Sequence, residues 1–168
     1  MSQSVEISKA EAERIGALFY DEVTPILGQH SFLFVGSLRR LKETVHDIDA
    51  LINPTDDRAI QILREAFARH GKVQILKWGP KIAQVIFYGI SIDLYFSTPE
   101  TFATLLLIRT GSVKNNIRLC RIAKQKGWKL HASGDGLFNE KGERIAGDTE
   151  KSIFDALGIP FEEAWNRG

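Results

Sequence analysis

The sequence predicts an α+β fold in two pieces. Residues 1–97 form a mixed sheet backed by helices, and residues 98–168 form a smaller, mostly helical lobe with a short sheet. Three observations carry this. Short apolar runs of strand length (SFLFV, DIDALI and three more between Val73 and Phe96) gather in the first half. Stretches with apolar residues at helical spacing flank them. From Thr98 onward, helix start and stop signals dominate.

Taken in order, residues 8–27 read as a helix. Ile15, Leu18, Phe19, Val23, Ile26 and Leu27 share one face, and Ser8 with Glu11 has the form of a capping box. Ser31 to Val35 reads as a buried strand ending at Gly36-Ser37, where a brief helix opens. Asp47 to Ile52 is a second strand, closed by Asn53-Pro54. Asp56 to Arg69 is a helix with Ile60, Leu63, Ala66 and Phe67 on one face. The runs Val73 to Trp78, Ile82 to Tyr88 and Ile90 to Phe96 are separated by Gly79-Pro80 and Gly89, which makes them antiparallel neighbours. Thr98-Pro99-Glu100 starts a helix with Pro in its first turn. A further helix runs from Val113 to Lys126, with Val113, Ile117 and Cys120 expected toward the core. Trp128 to His131 and Gly136 to Phe138 form a small sheet, and Thr149 to Leu157 is the closing helix.

Composition narrows the function classes. With 168 residues, 43% hydrophobic and 26% charged, the chain is an ordinary globular protein able to bury a core. Its single cysteine, Cys120, excludes an intramolecular disulfide and suits a reducing compartment. The N-terminus MSQSVEISKAEAERIG lacks an apolar signal region, and no apolar run is long enough to span a bilayer. The expectation is a non-secreted monomer without membrane contact, cytoplasmic or nucleoid-associated, or in the host cytoplasm if the source is viral. A net charge of +1 does not advertise nucleic acid. The distribution does: no acidic residue lies between Glu100 and Asp135, whereas Arg109, Lys114, Arg118, Arg121, Lys124, Lys126 and Lys129 all do. A solvated helix face would have the same composition.

The chemistry-bearing pattern begins at Asp47 and Asp49. Two apart on a strand, their side chains leave on one face while Ile48 and Ala50 face the core. Asp93 repeats the pattern between Ile92 and Leu94, so if the two strands are neighbours three carboxylates converge. Like charges that close repel unless cations intervene. All-oxygen donors favour Mg²⁺ over zinc, with Mn²⁺ as a substitute. Upstream, Gly36-Ser37-Leu38-Arg39-Arg40 follows a strand and opens a helix. Such a turn offers backbone N–H groups, a hydroxyl and a guanidinium to phosphate. Each part has an ordinary explanation by itself: a solvated D-x-D, a turn with surface arginines, an edge-strand gatekeeper. Their order points to transfer of a nucleotidyl group from a triphosphate.

GSLRR, LKETVH and DID together resemble the palm signature of family X DNA polymerases. ISIDLYF resembles that family's third-carboxylate strand, and RTGSVKNNIRL its Thr-Gly-Ser segment. KGWKLHASGDGLFNEKGERIAG and DTEKSIFDALGIPF resemble the thumb of bacterial members. The likeness runs from about Ser31 to the C-terminus. It implies a polymerase beta-like nucleotidyltransferase palm with a thumb, working with two magnesium ions held by Asp47, Asp49 and Asp93. A primer 3′-oxygen would attack the α-phosphorus in line, and pyrophosphate would leave. It further implies that Gly36, Ser37 and Arg40 bind the triphosphate, that Thr110 and Gly111 shape the sugar pocket, and that Asn116 meets the incoming base. Arg39 would be structural or outward-facing.

Several positions depart from the family pattern. His46 replaces a glycine beside the γ-phosphate and would either assist phosphate binding or stand as an exposed turn histidine. Arg109 replaces an aromatic residue before Thr110-Gly111, which puts deoxyribose selectivity in question and suggests contact with triphosphate or template. Ser91 and Cys120 stand where basic residues are common. Lys114, Arg118 and Arg121 share one helix face and, with Lys124, would meet DNA phosphates in a salt-dependent, sequence-independent way. Trp165 is a candidate to stack on bases, whereas Trp78 and Trp128 are expected in the core. The 30 residues before Ser31 are too few for the lyase and fingers domains of full-length members, so a minimal palm–thumb form like the smallest viral members is expected. The implied partners are a primer-template or gapped duplex and dNTPs, with a ligase as a pathway partner. The implied activity is low-processivity gap filling. The alternatives are a template-independent or ribonucleotide-tolerant transferase and a catalytically silent nucleic-acid-binding module.

Overall fold

The computed structural model describes residues 5–168. Its elements are β1 (Ile7–Ser8), α1 (Lys9–Leu27), β2 (Phe32–Phe34), α2 (Gly36–Arg39), β3 (Thr44–Val45), β4 (Ile48–Ile52), α3 (Asp57–Arg69), β5 (Val73–Trp78), β6 (Ile82–Phe87) and β7 (Ile90–Phe96). There follow α4 (Phe102–Thr110), α5 (Val113–Gln125), β8 (Lys129–His131), β9 (Gly136–Phe138), β10 (Arg144–Ala146), α6 (Glu150–Leu157) and a 3₁₀ turn at Ala164–Asn166. The chain divides into two compact units, one ending at Ser97 and the other running from Thr98 to Gly168.

The first unit is built on a five-stranded sheet in the order β2-β4-β7-β6-β5. Only β4 and β7 pair in parallel; the other three ladders are antiparallel. The period of two along β4 sends Ile48, Ala50 and Ile52 into a core with Ile15, Phe19 and Val23 of α1 and Leu63 and Phe67 of α3. Asp49 therefore faces the other way. Phe19 anchors this core, with the Phe32 and Phe87 rings edge-on to it at 5.1 and 5.6 Å. Deleting such a fully buried ring costs about 3–5 kcal/mol.

Helix boundaries follow their caps. The Ser8 hydroxyl accepts from Glu11 N at 3.2 Å and starts α1. Only half of the expected capping box forms here, because the Glu11 carboxylate is taken by Arg14 at 2.8 and 2.9 Å. Asp56 caps α3 by accepting from Ala59 N. The helix expected from Thr98 begins later, at Phe102: Thr98 and Thr101 close a turn of their own, Thr101 N donating to the Thr98 carbonyl and Thr98 N to Thr101 Oγ1. Three strands went unanticipated, β1, β3 and β10, each only two or three residues long. A strand that short has no periodicity to read, and its partner sets its register.

The second unit packs α4, α5 and α6 around Leu107, Leu119, Ala123, Ile153, Phe154 and Leu157. The antiparallel sheet β10-β9-β8 adds Leu130, Leu137 and Ala146. A full capping box of Thr149 and Ser152 starts α6, and Gly158, in the left-handed region at φ 74°, ends it. The setting of α5 corrects the sequence expectation. Val113 is 75% exposed, Ile117 54% exposed, and Cys120 also lies outside. The inward stripe is Asn115, Leu119 and Ala123. The Asn115 Oδ1 accepts from Arg118 Nη2 at 3.0 Å, while its Nδ2 is buried without a hydrogen-bond partner among the described residues. A stripe that opens on a polar residue is invisible to an apolar-periodicity count. Trp78 and Trp128 pack against the two cores, whereas Trp165 is 54% exposed. No helix among the described residues is long and apolar enough to cross a membrane.

Candidate active site

The parallel ladder between β4 and β7 aligns Asp49 with Asp93 as register partners. Adjacent strands lie about 4.8 Å apart, so the two carboxylates leave the same face side by side. Both residues are half-buried. Tyr95, two residues beyond Asp93 on that face, donates its hydroxyl to Asp49 Oδ1 at 3.1 Å. Gln84 of β6 sits beside Asp93 in the ladder and reaches Ser91 Oγ at 3.4 Å. The Tyr95 bond fixes one oxygen of Asp49, a charge-assisted contact of about 1.5–3 kcal/mol. Sequence reasoning passed over Tyr95 and Gln84, although the two-residue offset from Asp93 was a readable signal for Tyr95.

Asp47 corrects the expected geometry. The strand begins at Ile48, so Asp47 lies in the bend before it, outside the ladder that aligns the other two. Among the described residues no three His, Cys, Asp or Glu side chains are gathered closely enough to hold a metal ion. A carboxylate outside the ladder is not held against the repulsion of two others. The donor set still fits a hard divalent cation by its chemistry: two aligned carboxylates with a third two residues upstream, all oxygen.

The phosphate-type turn sits directly on Asp49. Gly36 has φ +59°, and a Cβ there would stand 2.0 Å from Asp49 Oδ2. Only glycine combines that conformation with that approach. Val35 N donates to the Asp49 carbonyl at 2.8 Å, locking the turn to β4. The single helical turn α2 leads to Arg40, whose guanidinium is lowered from its ordinary value by burial, while the Asp49 carboxylate opposes that shift. Ser37 is half-buried in α2, and Arg39 lines a cavity of about 440 Å³ with Lys9, Tyr20 and Leu41, on the α1 side of the turn. His46 is exposed.

In the second unit Arg109 lies in the last turn of α4, Thr110 ends it and is fully buried, and Gly111 has φ +72°. The Gly111–Ser112 peptide is cis. Asn116 Nδ2 donates to the Ile108 carbonyl at 2.8 Å, so this side chain ties α5 back to α4. Of the expected cation row, Lys114, Arg121 and Lys124 are exposed, but Arg118 is engaged by Asn115 and by Glu162 at 2.9 Å. Partial burial pushes the Cys120 thiol above its ordinary 9.0, which keeps it protonated and a poor nucleophile at neutral pH.

A palm-like sheet with paired carboxylates, followed by a three-helix unit with a small sheet, defines the polymerase beta type of nucleotidyltransferase. Residues 105–168 match the DNA polymerase beta thumb family. The Leishmania infantum polymerase beta ternary P/T complex superposes with a TM-score of 0.81 at 19% identity, covering 98% of this chain and 77% of that one. Its ternary gap complex gives the same TM-score, with 97% and 71% covered. The DNA polymerase/3′-5′ exonuclease PolX of Bacillus subtilis is 30% identical over 133 residues, 77% of this chain and 23% of that protein. DNA polymerase lambda of Rattus norvegicus is 28% identical over 158 residues, 79% of this chain and 28% of that protein. The chain thus spans about a quarter of the length of these two relatives. It belongs to the family X DNA polymerases.

Proposed function

We propose that this chain adds nucleotides to the 3′-hydroxyl of a DNA primer with two divalent ions, in short-gap repair synthesis of low processivity. The observation that carries the reading is the alignment of Asp49 with Asp93, with the Gly36 turn seated against Asp49. Asp47, Asp49 and Asp93 would hold Mg²⁺, with Mn²⁺ as a substitute. When bound, the ions neutralise charge on the triphosphate and on the attacking oxygen. Gly36 admits a phosphate close to the backbone, Ser37 donates a hydroxyl to it, and Arg40 supplies the guanidinium, with His46 beside the turn. Tyr95 keeps Asp49 oriented. In the thumb, Thr110 and Gly111 shape the sugar pocket and Asn116 stands near the base, with Arg109 setting tolerance for the ribose hydroxyl. Lys114, Arg121 and Lys124 meet DNA phosphates, and Arg118 contributes once its bond to Glu162 opens. A primer-template or gapped duplex, dNTPs and a later ligase are the partners this reading requires.

The test is primer extension on a one-nucleotide gapped duplex with Mg²⁺, scoring each dNTP and rNTP separately. Template-matched dNTP addition is expected. Asp93→Ala should lower it by at least about a thousandfold while DNA affinity stays within about twofold. Equal use of rNTPs would turn the reading to a sugar-tolerant transferase. No addition, even with Mn²⁺, would leave a nucleic-acid-binding module.

A further inference from the structure

The end of the thumb unit is held by hydrogen bonds as well as by packing, although Arg167 Nη2 is left without a hydrogen-bond partner among the described residues. Arg167 is 2% exposed, and its side chain is fully buried. Its Nη1 donates to Glu150 Oε1 at 2.7 Å, and its Nε donates to the Glu162 carbonyl at 2.9 Å. The guanidinium carbon lies 5.4 Å from the Phe154 ring centroid and 5.5 Å from that of Phe161. The same residue's carbonyl accepts twice from Ser112, from the backbone N at 3.3 Å and from Oγ at 2.7 Å. Ser112 Oγ in turn accepts from Asn115 N at 3.2 Å and so caps α5.

A buried Arg–Glu pair is an inefficient source of stability, because desolvation offsets most of the attraction. What it fixes well is position. Here the position fixed is that of Ser112, covalently next to Gly111 and two residues from the buried Thr110.

We infer that Arg167 is a positioning residue for the incoming nucleotide. Held by Glu150, its carbonyl sets the Thr110–Ser112 turn, and through that turn it sets the fit to the furanose ring of the nucleoside triphosphate. The inference rests on the nucleotidyl-transfer reading and on the sugar-pocket role of Thr110 and Gly111.

The test uses the full chain and steady-state single-nucleotide gap filling. Arg167→Ala would strand Glu150 in the interior and unfold the thumb, so the pair is replaced together, Glu150→Leu with Arg167→Met, which keeps the volume apolar. A milder variant, Ser112→Gly, removes the hydroxyl donor while glycine still serves as a helix cap. Circular dichroism and melting establish that each is folded. Both variants should raise the KM for dNTP, by about tenfold or more for the double variant, with kcat changed by less than about threefold. The ratio of dNTP to rNTP use should shift as well. Arg167→Lys, which keeps the charge but loses the fork, should fall between wild type and the double variant. Folded variants with wild-type KM and wild-type sugar preference would overturn the positioning role of Arg167 while leaving the nucleotidyl-transfer reading intact. A wild-type chain that transfers no nucleotide at all would remove both.

Discussion

The two units use buried polar groups in opposite ways. In the first, Asp49 and Asp93 stand half-buried on the face of the sheet opposite the core, and the bonds around them (Tyr95 to Asp49, Val35 to the Asp49 carbonyl) orient Asp49. In the second, polar side chains tie the unit's own turns together with part of their capacity, and Asn115 Nδ2, Asn116 Oδ1 and Arg167 Nη2 find no hydrogen-bond partner among the described residues. Arg167 is bonded to Glu150, Asn115 to Arg118, and Asn116 to the Ile108 carbonyl. A sheet supplies this division automatically, because its period of two separates a core face from a chemical face. In the second unit the core face of α5 is a narrower stripe, and Ser112 and Asn116 at its start are used to brace the turn from α4.

The comparison breaks most sharply at Gly36, where backbone and carboxylate meet. Gly36→Ala introduces a Cβ 2.0 Å from Asp49 Oδ2 at a backbone φ of +59°, which L side chains rarely adopt. Either the turn or Asp49 must move by an ångström or more. Misplacement of that size costs about a hundredfold in rate. Extension by the variant should fall by that factor while the circular dichroism spectrum of the chain is unchanged. An alanine variant with wild-type rate would show that the turn does not govern Asp49.

The same contrast explains what was legible in the sequence. The palm strands were readable because alternation fixed both faces at once: burying Ile48 and Ala50 left Asp49 only one direction, and Ile92 and Leu94 did the same for Asp93. Adjacency of the two strands was a condition the sequence could state but not decide, since pairing is non-local. Asp47 was misplaced because a strand's first residue depends on where the ladder begins, not on the pattern inside it. In α5 the apolar spacing of Val113, Ile117 and Cys120 pointed the wrong way. The rotation of that helix is set by Ser112 bonded to Arg167, a residue 55 positions further along. Arg118 looked like a free cation for the same reason: its partner Glu162 lies beyond the closing helix.

A pair of alanine substitutions sharpens the account of α5. Leu119 is fully buried, so Leu119→Ala should destabilise the chain by about 2–5 kcal/mol. Ile117 is 54% exposed, so Ile117→Ala should cost less than about 0.5 kcal/mol. Urea unfolding measures both. Equal costs at the two positions would mean that the helix is rotated toward the face its apolar spacing suggests. On the exposed side, Arg121→Ala should weaken duplex binding and lower the slope of log affinity against log salt by about one. Arg118→Ala should act less on binding, because its guanidinium is already engaged by Glu162 and Asn115.

The smallest effect concerns the ion pair of the first unit, the counterpart of the buried Glu150–Arg167 pair. Glu11 and Arg14 are bonded at 2.8 and 2.9 Å on the exposed start of α1. The Arg14 hydrogen bond holds the Glu11 carboxyl below its ordinary 4.5. A depressed carboxyl stabilises the folded chain above pH 4.5 and loses that contribution as pH falls through its folded value. Because both side chains are exposed, solvent and salt screen the pair, and its share of stability is slight. In a carboxyl NMR titration the Glu11 midpoint should therefore lie below 4.5, and Arg14→Gln should return it toward that value without moving the melting temperature at neutral pH. A clear drop in melting temperature would mean that this exposed pair carries more of the stability of α1 than solvent screening allows. The division between a unit held by apolar packing and a unit braced by buried polar bonds would then fail.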